Sequence, residues 1–403
     1  MKENAVYLQS GGPTSVINAS LFGVINQVEI SDTIGDLFLS HYGIKGLINN
    51  DLKKAKSIPT KQIELLPYTP SCILGSVRYK MKDFHDDEED YLRILDTLKK
   101  NNIHYIFLNG GNDSMDTAMK LSAYLKFKKY SCKFIGIPKT IDNDLVITDH
   151  TPGFASAAKF VANVMETLTY DNLTYQKGRV NIVEIMGRDT GWLTAASGLA
   201  SLHKSGPDLI FVPEVAFDTK KFLTEVERIY KEKGRVLVAV SEGIKDKKGE
   251  FVYKQASQDV FAHSQLGGVS HYLAALVEEK LNISTRAIEL SLLQRCFAPE
   301  ASLTDIEEAI HCGENAVKYA SNDYGNGMVT MKRLDKNNYQ LTYELVPFEK
   351  IANQIKYLPL SMLNGTKDNI SQEFIDYLVP LIRGKINHDE KNGLYLYSQK
   401  EFF

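Results

Sequence analysis

The sequence predicts an α/β protein of two doubly wound lobes with mainly parallel sheets and a cleft between them. Three observations carry this expectation. Short apolar runs lack polar alternation, as strands covered on both faces do. Glycine, proline or asparagine follows each run. A helical pattern then takes over, and strand–helix alternation of this kind gives parallel sheets.

Taken in order, residues 6–9 read as the first strand, followed by Ser10-Gly11-Gly12-Pro13-Thr14 and a helix over 16–28. Residues 105–108 form a second strand, followed by Asn109-Gly110-Gly111 and a helix from Ser114. Residues 134–137 form a third, ended by Pro138, and 180–186, 209–212 and 236–240 repeat the theme. The alternation runs in two stretches, so we expect one lobe over 1–150, joined by part of 286–345, and a second over 151–285. The stretch 346–403 reads as a C-terminal extension. Segments 328–334 and 339–345 flank Asp335-Lys336-Asn337-Asn338 as a β-hairpin, and 372–382 reads as a helix. These pieces either return to one lobe or cap the cleft.

Bulk composition narrows the class. At 43% hydrophobic, 403 residues bury an ample core and suit two or three domains. The net charge of −3 gives no global bias towards nucleic acid or a membrane surface. No apolar run approaches the ~20 residues of a membrane helix. Cys72, Cys132, Cys296 and Cys312 are scattered without metal-ligand spacing, which suits thiols in a reducing, cytoplasmic compartment.

In an open parallel sheet, ligands bind beyond the carboxyl ends of the strands. Six polar clusters fall at such places. Ser10–Thr14 offers glycines and a helix start that favour an anion, or an ordinary turn. Asn109-Gly110-Gly111-Asn112-Asp113-Ser114 offers either a metal or anion site or a helix cap. Pro138-Lys139-Thr140-Ile141-Asp142-Asn143-Asp144 combines a cation with two carboxylates, enough to bind phosphate and metal and to accept a proton. Met186-Gly187-Arg188 and the arginines Arg286 and Arg295 offer bidentate phosphate ligands, or ordinary surface cations, and Ser241-Glu242-Gly243 stands at another strand end. Convergent cations, backbone amides and carboxylates suit phosphoryl transfer, where positioning and charge neutralisation supply most of the catalysis.

In this order the segments resemble the phosphofructokinase family over about residues 5–320. GGPTSVINA is similar to the family's first glycine loop, GGNDS to its second, PKTIDND to its catalytic loop, and MGRDTGWL and SEG to its sugar-contacting segments. The resemblance implies Asp142 as the base that takes the proton of the sugar 1-hydroxyl, and Arg188 as the neutraliser of charge on the transferring group. It implies donor contacts from Gly11, Gly12, Arg78, Gly111, Asn112, Ser114 and Lys139. Sugar-phosphate contacts would come from Thr140, Ile141, Asp142, Asp144, Arg179, Met186, Gly187, Arg188, Glu242, Arg286 and Arg295. Arg179 and Arg286 would cross from a neighbouring subunit, so a homodimer or homotetramer is expected.

Members that use ATP carry glycine where this chain has Asp113 and Lys139. The aspartate repels and blocks a nucleotide's α-phosphate, and the lysine takes its place, so pyrophosphate is the expected donor and fructose 6-phosphate the acceptor. An ATP-dependent enzyme and, further off, a non-catalytic subunit of the same fold are the alternatives. Mg2+ is the expected cofactor, at Asn112 and Asp144, although Asn112 stands where the family carries aspartate. Leu292 replaces a sugar-contacting histidine. Phe22 and Asn26 replace arginines that bind nucleotide effectors in allosteric members, so such allostery is not expected.

Overall fold

A computed structural model describes residues 2–253, 267–322, 324–335 and 338–403. The chain divides into two compact units. The first holds 1–156, 295–355 and 383–403; the second holds 157–294 and 356–382. The C-terminal stretch forms no unit of its own, because its segments are shared between these two.

The strands are β1 (Glu3–Gln9), β2 (Ile34–Ser40), β3 (Leu52–Lys54), β4 (Ile103–Gly110), β5 (Lys133–Pro138), β6 (Val180–Ile185), β7 (Leu209–Phe211), β8 (Val236–Ser241), β9 (Thr285–Glu289), β10 (Gly327–Asp335) and β11 (Gln340–Val346). In the first unit seven strands run in the order β11-β10-β5-β4-β1-β2-β3. All neighbours are parallel except the two edge pairs, β10 with β11 and β2 with β3. In the second unit β7-β8-β6-β9 are parallel throughout.

The apolar runs arise because both faces of the first sheet are covered. Along β1, Val6 and Leu8 enter one core with Ile106 and Leu108, while Ala5 and Tyr7 enter the opposite core with Phe107, Ile135 and Ile137. Side chains alternate faces with period two, yet neither face meets water, so no polar alternation is left in the sequence. In the second unit Val180, Ile182, Val236, Val238 and Val240 pack on Phe222, Val226, Leu273 and Val277.

The helices that position the site are α1 (Ile17–Glu29), α2 (Asn112–Phe127), α3 (Phe154–Leu173) and α4 (Leu303–Ser321). The expected hairpin joins the first sheet as β10 and β11, paired from Met328 with Val346. Lys336 and Asn337 of its turn lie outside the described residues. The helix expected over 372–382 is Gln372–Leu378 and stacks on Trp192, with ring centroids 6.4 Å from Phe374 and 5.5 Å from Tyr377. It stops early because Pro380 lacks the N–H that the next helical hydrogen bond would need.

Candidate active site

In the first unit, β1, β4 and β5 lie side by side and parallel, with Gln9 opposite Asn109 and Gly110 opposite Pro138. Their carboxyl ends therefore bring together Ser10–Thr14, the loop Gly110–Gly111 that opens α2, and Lys139–Asp144. Lys139 is only 3% exposed. Its Nζ donates to the Gly12 carbonyl at 2.6 Å, and its backbone N–H donates to the Gly110 carbonyl at 3.1 Å. Burial lowers the Lys139 pKa, while Cys72, Asp142 and Asp144 work the other way and Arg295 adds to the lowering. The ammonium thus sits among two candidate carboxylates and a candidate arginine. Arg295 approaches the same loop, its Nη1 lying 3.9 Å from where a Cβ on Gly12 would stand. Its Nε is buried without a hydrogen-bond partner among the described residues. Ser76 Oγ donates to the Gly11 carbonyl at 2.7 Å, which ties the loop leading to exposed Arg78 to this edge.

Asp113 lies exposed in the first turn of α2, and Ser114 is buried behind it. Half-buried Asp142 receives its place from its own loop, where its N–H donates to Thr140 Oγ1 at 3.1 Å. Thr140 bridges to Gly153, so the segment 140–153 is closed at its base.

That closure is fastened by a buried charge network that sequence reasoning missed. His150 is fully buried; its Nδ1 meets Asp149 at 2.8 Å and its Nε2 meets Glu308 of α4 at 2.6 Å. Arg333 of β10 holds Asp149 with Nε at 3.1 Å and Nη2 at 2.9 Å, and Tyr339 donates to Glu308. Burial opposes charge on His150, but Glu308 and Asp149 outweigh it and raise its pKa to about 9. Asp149 is held well below its ordinary value by His150 and Arg333, against burial. Next to it, buried Asp305 accepts from Gly153 N at 3.0 Å and from Ser156 N at 2.9 Å, and burial pushes its pKa up to about 6. The one sequence signal is Asp149-His150, five and six residues after Asp144.

In the second unit, β6 and β8 are adjacent and parallel, so Met186–Arg188 and Glu242 share one edge. Gly187 N donates to Glu242 Oε1 at 3.3 Å, and Glu242 N donates to the Ile185 carbonyl at 3.0 Å. Gly187 holds φ 146°, a region that favours glycine. Gly243 lies so near that an added Cβ would stand 1.9 Å from the Arg188 carbonyl. Burial raises the Glu242 pKa, while the Gly187 N–H and Arg188 offset it. Met186 N donates to Gln294 Oε1 at 3.0 Å. Glu214, missed by sequence reasoning, accepts from Gly191 N and Leu358 N, each at 2.9 Å, and so braces the segment after Arg188.

Two candidates lie elsewhere in that unit. Arg179 precedes β6, and Arg286 pairs with Asn181 near the start of the same strand. A strand of this length spans roughly 17–20 Å, so both arginines stand at the opposite end of the sheet from Met186 and Glu242. Arg286 is exposed on the edge strand β9.

Among the described residues, no group of three or more His, Cys, Asp and Glu side chains could hold a metal ion. None of the described helices is long and apolar enough to cross a membrane.

Comparisons with known proteins agree on one family. The phosphofructokinase family model matches residues 4–320. The chain is 36% identical to the pyrophosphate–fructose 6-phosphate 1-phosphotransferase of Halomonas elongata, over 98% of this chain and 95% of that one. It is also 36% identical to the sulfofructose kinase of Alkalicoccus urumqiensis, over 86% of this chain and 87% of that one. The crystal structure of a pyrophosphate-dependent phosphofructokinase from Nitrosospira multiformis superposes with a TM-score of 0.89 at 35% identity, covering 98% of this chain and 95% of that one. With its glycine loops, acidic loop and arginine segment placed at the carboxyl ends of parallel strands, the chain belongs to the phosphofructokinase family.

Proposed function

We propose that the protein transfers a phosphoryl group reversibly from inorganic pyrophosphate to the 1-hydroxyl of fructose 6-phosphate, giving fructose 1,6-bisphosphate and phosphate. The observation that carries this reading is buried Lys139, whose ammonium reaches Gly12 between the two glycine loops. A fixed cation there complements a compact, highly charged donor. Exposed Asp113 at the start of α2 adds a negative charge that disfavours a nucleotide's α-phosphate.

Asp142 takes the proton of the attacking hydroxyl. A free carboxylate, with a pKa of ~3.9, is a weak base, but in a loose transition state the hydroxyl becomes acidic only as it bonds to phosphorus. Arg188 neutralises charge on the transferring group. Met186, Gly187 and Glu242 contact the sugar, and Arg295 holds phosphate oxygens with its unpaired Nε. Arg179 and Arg286, at the far end of their sheet, are supplied to the site of a neighbouring subunit, so the working unit is a homodimer or homotetramer. Kinases of this family generally use a divalent metal. We take it to be Mg2+, which binds through one or two carboxylates plus substrate phosphates and so needs no protein cage. Asp144, close enough to act on Lys139, is the carboxylate that fits. The bound ion would screen charge between the phosphates. Cys72, Cys132, Cys296 and Cys312 are all thiols, which supports a cytoplasmic location.

The reverse reaction tests the reading. Fructose 1,6-bisphosphate with orthophosphate and Mg2+ should yield pyrophosphate and fructose 6-phosphate. Bisphosphate turned over only when ADP is supplied would favour an ATP-dependent enzyme. Sulfofructose, run as a rival acceptor in the forward direction, should be the poorer one.

Two further outcomes follow from the same geometry. Asp113→Gly combined with Lys139→Gly should raise KM for pyrophosphate by at least about tenfold, from the loss of charge-assisted contacts. Unchanged pyrophosphate kinetics in the double variant would remove both residues from donor choice. Arg295→Ala should chiefly raise KM for fructose 6-phosphate, by a loss of about 1.5–3 kcal/mol, with kcat much less affected. A fall in kcat alone would argue that Arg295 acts only on the transition state.

A further inference from the structure

Asn112 opens α2 at the position where related sequences suggest a metal ligand, yet its amide is engaged elsewhere. Oδ1 accepts from the Asn353 N–H at 2.7 Å, and Nδ2 donates to the Gln354 carbonyl. The geometry is built on both sides. Asn353 sits at φ 61°, and this turn aims one N–H and the next residue's carbonyl at the same amide. Its side-chain nitrogen also donates to Asp116 Oδ1 at 3.0 Å, one turn further along α2. Just before it, Phe348, Ile351 and Ala352 are buried in the same core as Met115, Ala118 and Leu121 of α2. The C-terminal chain is thus fastened to the start of α2 by an apolar layer beneath and an amide clasp at the rim.

An amide is the side chain this clasp requires. It offers a donor and an acceptor in fixed geometry, whereas an ionised aspartate only accepts. Aspartate here would lose the bond to the Gln354 carbonyl and set an oxygen against it, a repulsion that opens the turn and loosens the bond from the Asn353 N–H with it.

We propose that Asn112 is a latch and not a metal ligand: it fastens residues 353–354 to the first turn of α2 and so fixes the backbone N–H groups of residues 111–113 for the pyrophosphate anion. The second half of this statement rests on the donor assignment above; the first half does not. In this role Asn112 is a positioning residue, acting through the backbone that it holds.

Three variants separate the possibilities. Asn112→Asp should speed hydrogen exchange at the Asn353 amide by at least about tenfold and raise KM for pyrophosphate by about tenfold. It should leave kcat within about threefold and the midpoint of Mg2+ activation unchanged. Asn353→Pro removes the N–H and forbids positive φ, so it should reproduce the rise in KM for pyrophosphate. Asn353→Gly keeps the N–H and the turn and should stay within about twofold of the parent on both readouts. Calorimetric melts confirm that each variant is folded before it is scored. If Asn112→Asp tightens the Mg2+ midpoint while pyrophosphate KM holds, Asn112 is a metal position and the proposal falls. Unchanged exchange at Asn353 removes the latch outright. Faster exchange with unmoved pyrophosphate KM removes its link to the donor loop. Because exchange is read without substrate, failure of the donor assignment itself leaves that measurement intact.

Discussion

Asp142→Ser is expected to lower kcat by about 10²–10⁴-fold, the usual contribution of a positioned general base, while KM for fructose 6-phosphate changes only a few-fold. The size of the effect follows from how firmly the residue is held. The base of its loop closes through Thr140 N to the Pro152 carbonyl at 3.3 Å, and Asp142 N–H binds Thr140 Oγ1. Serine preserves that backbone while removing the proton acceptor. Sugar-phosphate affinity should survive because it rests on arginines and on Glu242, which are untouched. Steady-state kinetics in both directions check this, and a kcat within tenfold of the parent would eliminate Asp142 as the base.

His150→Leu is expected to destabilise the protein by about 3–5 kcal/mol, the cost of leaving a buried partner charge uncompensated. Asp149 keeps Arg333 when the imidazolium is lost, but among the described residues Glu308 is left with only the Tyr339 hydroxyl. Adding Glu308→Leu should recover much of the loss, since an apolar pair of similar volume is often no worse than a buried ion pair. Denaturant melts of both variants decide this, and equal stability of the single variant and the parent would show the network to be idle.

The same network sets a pH window. The folded-state pKa of His150, about 9, lies above the 6.5 of an unperturbed histidine. Its contribution is therefore complete below about pH 6.5 and is lost as pH rises through about 9, a fall of about 3 kcal/mol. The facing groups do not share this window. Asp149 titrates lower, and Asp305, with a pKa of about 6, acts below it. The Tyr339 phenol and the Cys312 thiol are pushed up by burial first and Glu308 second, beyond the window. The His150→Leu variant should show a correspondingly flatter stability profile between pH 6.5 and 9.

How much of this was legible depends on where each signal is stored. Strands β1, β4 and β5 were plain because their apolar runs are continuous, and the turn residues after them mark the ligand edge. β2 was not read, because Gly35 and Asp36 break its run near the start. The catalytic-type loops were readable because their glycines, carboxylates and cations lie within a few residues of each other. The His150 network was not, since Asp149, Glu308, Arg333 and Tyr339 come from sequence-distant segments that meet only once the sheet is built. Asn112 shows the same limit. Its chemistry depends on a residue 241 positions away, so sequence offered only the missing carboxylate and not the reason for an amide. The far placement of Arg179 and Arg286 likewise became visible only once the direction of β6 and β9 was known.

The most direct test of the donor assignment is phosphorus NMR of the purified protein with fructose 6-phosphate and Mg2+, given pyrophosphate in one sample and ATP in another. Lys139 and Asp113 require fructose 1,6-bisphosphate and orthophosphate to appear with pyrophosphate, and ATP to remain essentially unconsumed over the same interval. Turnover of ATP with pyrophosphate left intact would contradict the assignment.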